Sequence, residues 1–295
     1  MKGSFEPTIS VIVPVWNDSE RVIACVDALK NQSLDNRLFE IIVVDNGSSD
    51  NTYEVLQQVN EITLLKETKP GSYAARNKAI VAARGNLLAF TDSDCLPDIN
   101  WLEELVTCIN SSTNIGVVAG EIEFFKAEKD NVEQEALAFE SMFSMNQKKY
   151  AEEGLCITAK WCYRKEEIVA QTGFRTDLKS GGDHDMAKKI VASGLEVKYC
   201  KDAKVLHPAR NNLELLKKRR RVIGGTWDKS SGKFKEVVML INSCKLFLKR
   251  FYKAISASNY PIYQKTLIVK VLFKILWVSI SEIFSLSFGK ESKRS

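Results

Sequence analysis

The 295-residue chain lacks several of the features that would place it quickly. Its seven cysteines are odd in number and scattered, with no CxxC pair, which argues against a disulfide framework and a structural zinc site and suits a reducing compartment. The N-terminal MKGSFEPTIS has no apolar core of the kind an export signal needs, so the catalytic part is expected in the cytoplasm. No GxGxxG or P-loop spacing follows the first apolar run, which disfavours a nucleotidyltransferase. Nor is there an uninterrupted apolar run of about 20 residues, the length a spanning helix requires.

Charge is unevenly divided. Residues 210–295 hold 19 Lys or Arg against 5 Asp or Glu, a net +14, whereas residues 1–209 hold 23 against 32, a net −9. Anionic membrane surfaces attract such a tail at about 1 kcal/mol per cation, and nucleic acid attracts it through phosphates. Nucleic acid is the poorer partner, since the run Lys217 to Arg221 carries no interleaved aromatic platform.

Short β-branched runs alternate with amphipathic segments in the first hundred residues: Ile9 to Val13, Glu40 to Asp45, Ile62 to Leu65 and Asn86 to Asp92 read as strands. Helices are expected after Asp18, near Thr52 and from Ser72 to Ala83. The pattern predicts an α/β domain with a mainly parallel sheet covered on both faces. Ligands in such sheets sit beyond the carboxyl ends of the strands, which selects Pro14 to Asn17, Asp45 to Ser48 and Asp92 to Asp94. Beyond Gly116 a strand is expected at VVAGEIEF, a long polar helix from Asn131 to Tyr150 and a helix from His184 to Ser193. A boundary near residue 210 separates this domain, with halves 1–115 and 116–210, from a basic helical extension, 211–295. Within the extension, Lys270, Lys274, Ser281 and Ser285 share one helical face, as on a helix lying in a headgroup region; the alternative is a helix packed on the main domain.

FTDSDC places Asp92 and Asp94 directly after an apolar strand, where two carboxylates can hold a hard divalent cation against diphosphate oxygens. Such pairs also occur as turn residues. ISVIVPVWND, EIIVVDNGSSDNT, GSYAARNKAI and FTDSD occur in this order, followed by TAKWCYRKEEIVAQTGF and SGGDHDMAKKIVASGLEVKYCKDAKVLHPAR. Together they resemble the family 2 inverting glycosyltransferases of GT-A fold, over roughly Thr8 to Arg210.

The resemblance implies a sugar transfer from a nucleotide diphosphate donor with Mn²⁺ or Mg²⁺, onto a lipid-linked or glycan acceptor in cell-surface polysaccharide or glycolipid synthesis. Pro14, Asp45, Arg76, Asp92 and Ser93 would line the donor site, Asp45 reaching the nucleobase. Asp94 would be the principal metal ligand and His207 a further metal or diphosphate contact. Asp183 would be the general base, with Asp185 its nearest rival. Two positions depart from the family pattern: Gly182 stands where a glutamate is common, and Lys160 where an asparagine is. The alternative is an inactive nucleotide-sugar or glycan-binding scaffold. The enzyme is expected to be peripheral at the inner face of the cell membrane.

Overall fold

The apolar runs of the first hundred residues become adjacent strands in the computed structural model, whose described residues are 6–127, 131–157, 160–178 and 181–291. Residues 1–5, Thr158, Ala159 and Ser180 of the quoted segments lie outside them, as does the side chain of Lys160. β1 (Ile9–Val15), β2 (Phe39–Asp45), β3 (Thr63–Lys66) and β4 (Leu87–Thr91) pair in parallel in the order β3-β2-β1-β4. Every residue of β1 and β4 is buried, which is why neither shows polar alternation. α1 (Ser19–Lys30), α2 (Thr52–Gln57) and α3 (Ser72–Ala82) make the crossovers. Side chains alternate across the sheet: Val11, Val13 and Val43 meet Val22 and Val26 of α1, whereas Ile12, Ile42 and Val44 meet Ala75 and Ala79 of α3.

The second half of the sheet is mixed. β5 (Leu96–Pro97), α4 (Trp101–Asn110), β6 (Ile115–Phe125), α5 (Gln134–Phe143), α6 (Gln147–Glu152), β7 (Lys160–Arg164), α7 (Lys165–Ala170), α8 (Gly182–Ala192) and β8 (Glu196–Pro208) follow in the chain. The full order is β3-β2-β1-β4-β7-β6-β8-β5, with β7 antiparallel to β4 and β6, and β5 antiparallel to β8. The parallel half is therefore the one built from residues 9–91, and the α/β architecture holds.

The chain forms two compact units, 1–123 with 145–207, and 124–144 with 208–295. The break after 207 falls near the charge boundary. Residues 124–144, which the sequence reading assigned to the 116–210 half, belong instead to the second unit. The long polar helix expected from Asn131 to Tyr150 is two helices, interrupted where Met145 takes a left-handed φ of 47° and Asn146 caps α6 by accepting from the Lys149 N–H at 2.9 Å.

The second unit is helical, built from α5, α9 (Asn212–Lys229), α10 (Lys235–Ser256) and α11 (Ile262–Ser287). A capping box between Asn211 and Glu214 starts α9. Phe139 and Ala136 of α5 pack with Ile268, Val271, Leu272 and Ile275 of α11. Buried Glu135 accepts from both Lys270, at 2.6 Å, and Lys274. This corrects the lipid-facing role expected for those two lysines: they answer a carboxylate of their own unit. Among the described residues no helix is long and apolar enough to cross a membrane.

Candidate active site

Parallel pairing sets the carboxyl ends of β1, β2 and β4 side by side. Pro14 lies opposite Val44 and Val15 opposite Asp45 in that register. Two strand-end loops are tied together beyond it: Asn17 N–H donates to Ser48 Oγ at 3.0 Å, Ser49 N–H to Asn17 Oδ1 at 2.7 Å, and Asp18 N–H to Thr52 Oγ1 at 2.9 Å. Asp45 is buried. Its Oδ2 accepts the Ser48 N–H at 3.3 Å, while Oδ1 has no hydrogen-bond partner. A buried carboxylate oxygen left unmatched is costly, so this one is set for an incoming donor. Beside it Trp16 is 64% exposed.

Asp92, Asp94, Cys95 and His207 each offer a ligand atom, and these atoms lie within 4.8 Å of one another. The chemistry of the set fits a hard or borderline divalent cation, with two carboxylates and an imidazole; Cys95 is buried with its Sγ 3.6 Å from Asp94 Oδ1, placed as a thiol donor. His207 reaches the cluster from β8, itself buried. The negative potential of the group is felt by Cys25, whose thiol is pushed far up first by burial and then by Asp94, Asp92 and Asp18.

Arg76, 4% exposed on α3, donates to Asp92 Oδ1 at 2.6 Å, and its Nε is buried without a partner. Arg76 thus fixes one of the cluster carboxylates while keeping donor capacity. Ser93 Oγ donates to Asp18 Oδ2 at 3.0 Å, and Asp18 Oδ1 takes Arg21 Nε at 2.7 Å, so the Ser93 hydroxyl is engaged within the loops.

Asp183 and Asp185 stand in the first turn of α8, entered through Gly181 at φ +80°. The two differ in company. Asp185 has Lys189 at 3.2 Å and Arg175 at 4.0 Å. Asp183 Oδ1 instead receives the Tyr73 hydroxyl at 3.3 Å, and that hydroxyl accepts the Gly182 N–H at 2.9 Å. Burial and the Asp183 charge raise the Tyr73 phenol above its ordinary value, so it is a proton donor here. A Cβ at Gly182 would lie 2.8 Å from the Tyr73 ring, so any side chain at this position would have to displace that ring. Sequence reasoning missed Tyr73, Asp18 and Cys95. No local pattern marks Tyr73, because its partner is 110 residues away.

The chain matches the profile of glycosyl transferase family 2 over residues 10–168. It is 35% identical over 222 residues to the glycosyltransferase AglE of Haloferax volcanii, covering 73% of this chain and 72% of AglE. In fold it resembles the mannosyltransferase PcManGT of Pyrobaculum calidifontis, solved in complex with GDP-Man and Mn²⁺ (TM-score 0.57, 19% identity, 98% of this chain and 77% of that one). It likewise resembles S. aureus TarS 1–349 in complex with UDP-GlcNAc (TM-score 0.54, 17% identity, 95% and 83%). These likenesses share the GT-A architecture of a mixed sheet flanked by helices. The family profile spans more than half of the chain and AglE nearly three quarters of it, and on both counts this chain belongs to glycosyl transferase family 2.

Proposed function

We propose that the protein is an inverting glycosyltransferase, transferring a hexosyl or related sugar from a nucleotide diphosphate donor to a hydroxyl of a lipid-linked or glycan acceptor, in cell-surface polysaccharide or glycolipid synthesis. The observation that carries this reading lies on α3: Tyr73 and Arg76, one turn apart, hold Asp183 and Asp92 respectively. Residues at i and i+3 are neighbours about 5–6 Å apart, so a candidate base and a candidate metal carboxylate are presented to one space.

The division of labour follows from the chemistry. Asp45 Oδ1 accepts a nucleobase N–H, and Arg76 neutralises charge beside Asp92. Asp94, Asp92 and His207 would hold Mn²⁺ or Mg²⁺, which when bound offsets the charge growing on the departing diphosphate. Asp183 takes the proton of the acceptor hydroxyl as its oxygen attacks the anomeric carbon, and the bond to diphosphate breaks on the opposite side. In-line attack inverts that carbon. Asp185, committed to Lys189 and Arg175, is the weaker candidate for the base. The net positive charge of residues 210–295 supports a reading in which the enzyme works at the inner face of a membrane.

A thermal-shift series with Mn²⁺ and UDP-, GDP- or dTDP-sugars tests donor use. Saturation by a true donor should raise Tm by about 5–10 °C, and chelator should abolish most of that. The anomeric configuration of the product, read by NMR, tests inversion; retention would overturn it. A shift without transfer to any acceptor would favour the inactive scaffold.

A further inference from the structure

The helical unit keeps large apolar side chains in water along two stripes. On the 22-residue α10, Val237, Ile241, Leu248, Tyr252 and Ile255 recur at helical spacing, with Leu248 62% and Tyr252 70% exposed. The opposite side of α10 buries Met239, Ser243 and Ala254. On α11 the outward positions are Phe273, Trp277 and Phe284, with Trp277 73% exposed and Phe288 exposed just past the helix end, while Ile268, Leu272, Ile275 and Ser279 are buried. The rings of Phe247 and Phe273, 5.0 Å apart between centroids, join the two helices where the stripes meet. Apolar patches of this extent mark a docking surface.

Charge selects the occupant. Between Val237 and Ser281 there are seven Lys or Arg and no Asp or Glu, and exposed Lys245 and Lys249 border the α10 stripe. A second copy of the chain would bring the same lysines against these with no carboxylate between them, a repulsive arrangement. An anionic lipid surface satisfies both the lysines and the apolar stripe.

We infer that the outer face of α10 and α11 docks on an anionic bilayer, with Ile241, Leu248, Tyr252 and Trp277 entering the acyl boundary and Lys245 and Lys249 resting on the phosphates. The inference rests on the reading of the extension as membrane-associating. It differs from that reading in the face used: Lys270 and Lys274, the lysines the sequence pointed at lipid, are committed to Glu135.

The test is flotation of the full chain with vesicles of phosphatidylcholine alone or containing phosphatidylglycerol. Wild type should rise with the anionic vesicles, and less so as salt is raised. Ile241→Asp with Leu248→Asp should lower the floated fraction about tenfold or more, with melting temperature and donor hydrolysis unchanged. Lys245→Gln with Lys249→Gln should lower capture by anionic vesicles while leaving the fold intact. Brominated lipid should quench the fluorescence lost on Trp277→Phe. Wild type that never floats would overturn the membrane reading itself. Wild type that floats equally well with I241D/L248D would overturn this face while leaving that reading standing. A wild-type dimer that I241D/L248D turns into monomers would assign the stripe to a second copy.

Discussion

The Tyr73 hydroxyl lies between two groups of α8, donating to Asp183 Oδ1 at 3.3 Å and accepting from the Gly182 N–H at 2.9 Å. One hydroxyl thus ties the orientation of the candidate base to the backbone that carries it. Tyr73→Phe removes that tie and little volume. It should lower kcat about tenfold, as for one hydrogen bond to a charged group, with the KM for donor within about twofold. Equal loss in both constants would mean that Tyr73 shapes the pocket and does not position the carboxylate.

Gly182→Ala tests the same relationship from the other side. The added methyl must displace a Tyr73 ring that stacks on Phe174 with centroids 5.7 Å apart. Overpacking of this kind costs about 1–3 kcal/mol, so Tm should fall by several degrees and kcat should fall at least as far as in Tyr73→Phe. Unchanged kcat would show that Asp183 needs no such support.

Carboxylate exchanges separate metal from base. Asp94→Ala should abolish Mn²⁺-dependent turnover with the fold retained, since the side chain is only partly buried at the cluster. Asp183→Asn should keep donor binding and lose transfer by about 10²-fold or more. Asp185→Asn should cost less. Full activity in chelator, or the larger loss at Asp185, would reverse these assignments.

Glu135 gives the helical unit an acid sensitivity. Hydrogen bonds from Lys270 and then Lys274 hold its carboxyl at about 2, below the ordinary 4.5. A depressed carboxyl contributes stability that is present above 4.5 and is lost as pH falls toward 2. Glu135→Gln should therefore destabilise by about 1–2 kcal/mol at neutral pH and flatten the decline between pH 4.5 and 2, read by urea unfolding at each pH. An unchanged acid limb would place that decline elsewhere.

Composition alone marks the parallel half of the sheet and the carboxylates at its edge. Runs such as Ile9 to Val13 and Leu87 to Thr91 are buried on both faces, so their composition alone marks them as central strands, and register then sets Asp45 and Asp92 at one edge. Tertiary structure decided what joins them. His207 comes to Asp92 and Asp94 because β8 pairs with β5, Leu96 lying opposite Leu206, and Tyr73 meets Asp183 because α3 and α8 pack on one side of the sheet. The lysines of α11 show the limit most clearly. Helical periodicity put Lys270 and Lys274 on one face, but a period says nothing of the neighbour that face will meet, and Glu135, 135 residues before Lys270, takes both lysines because a buried carboxylate needs them more than water does.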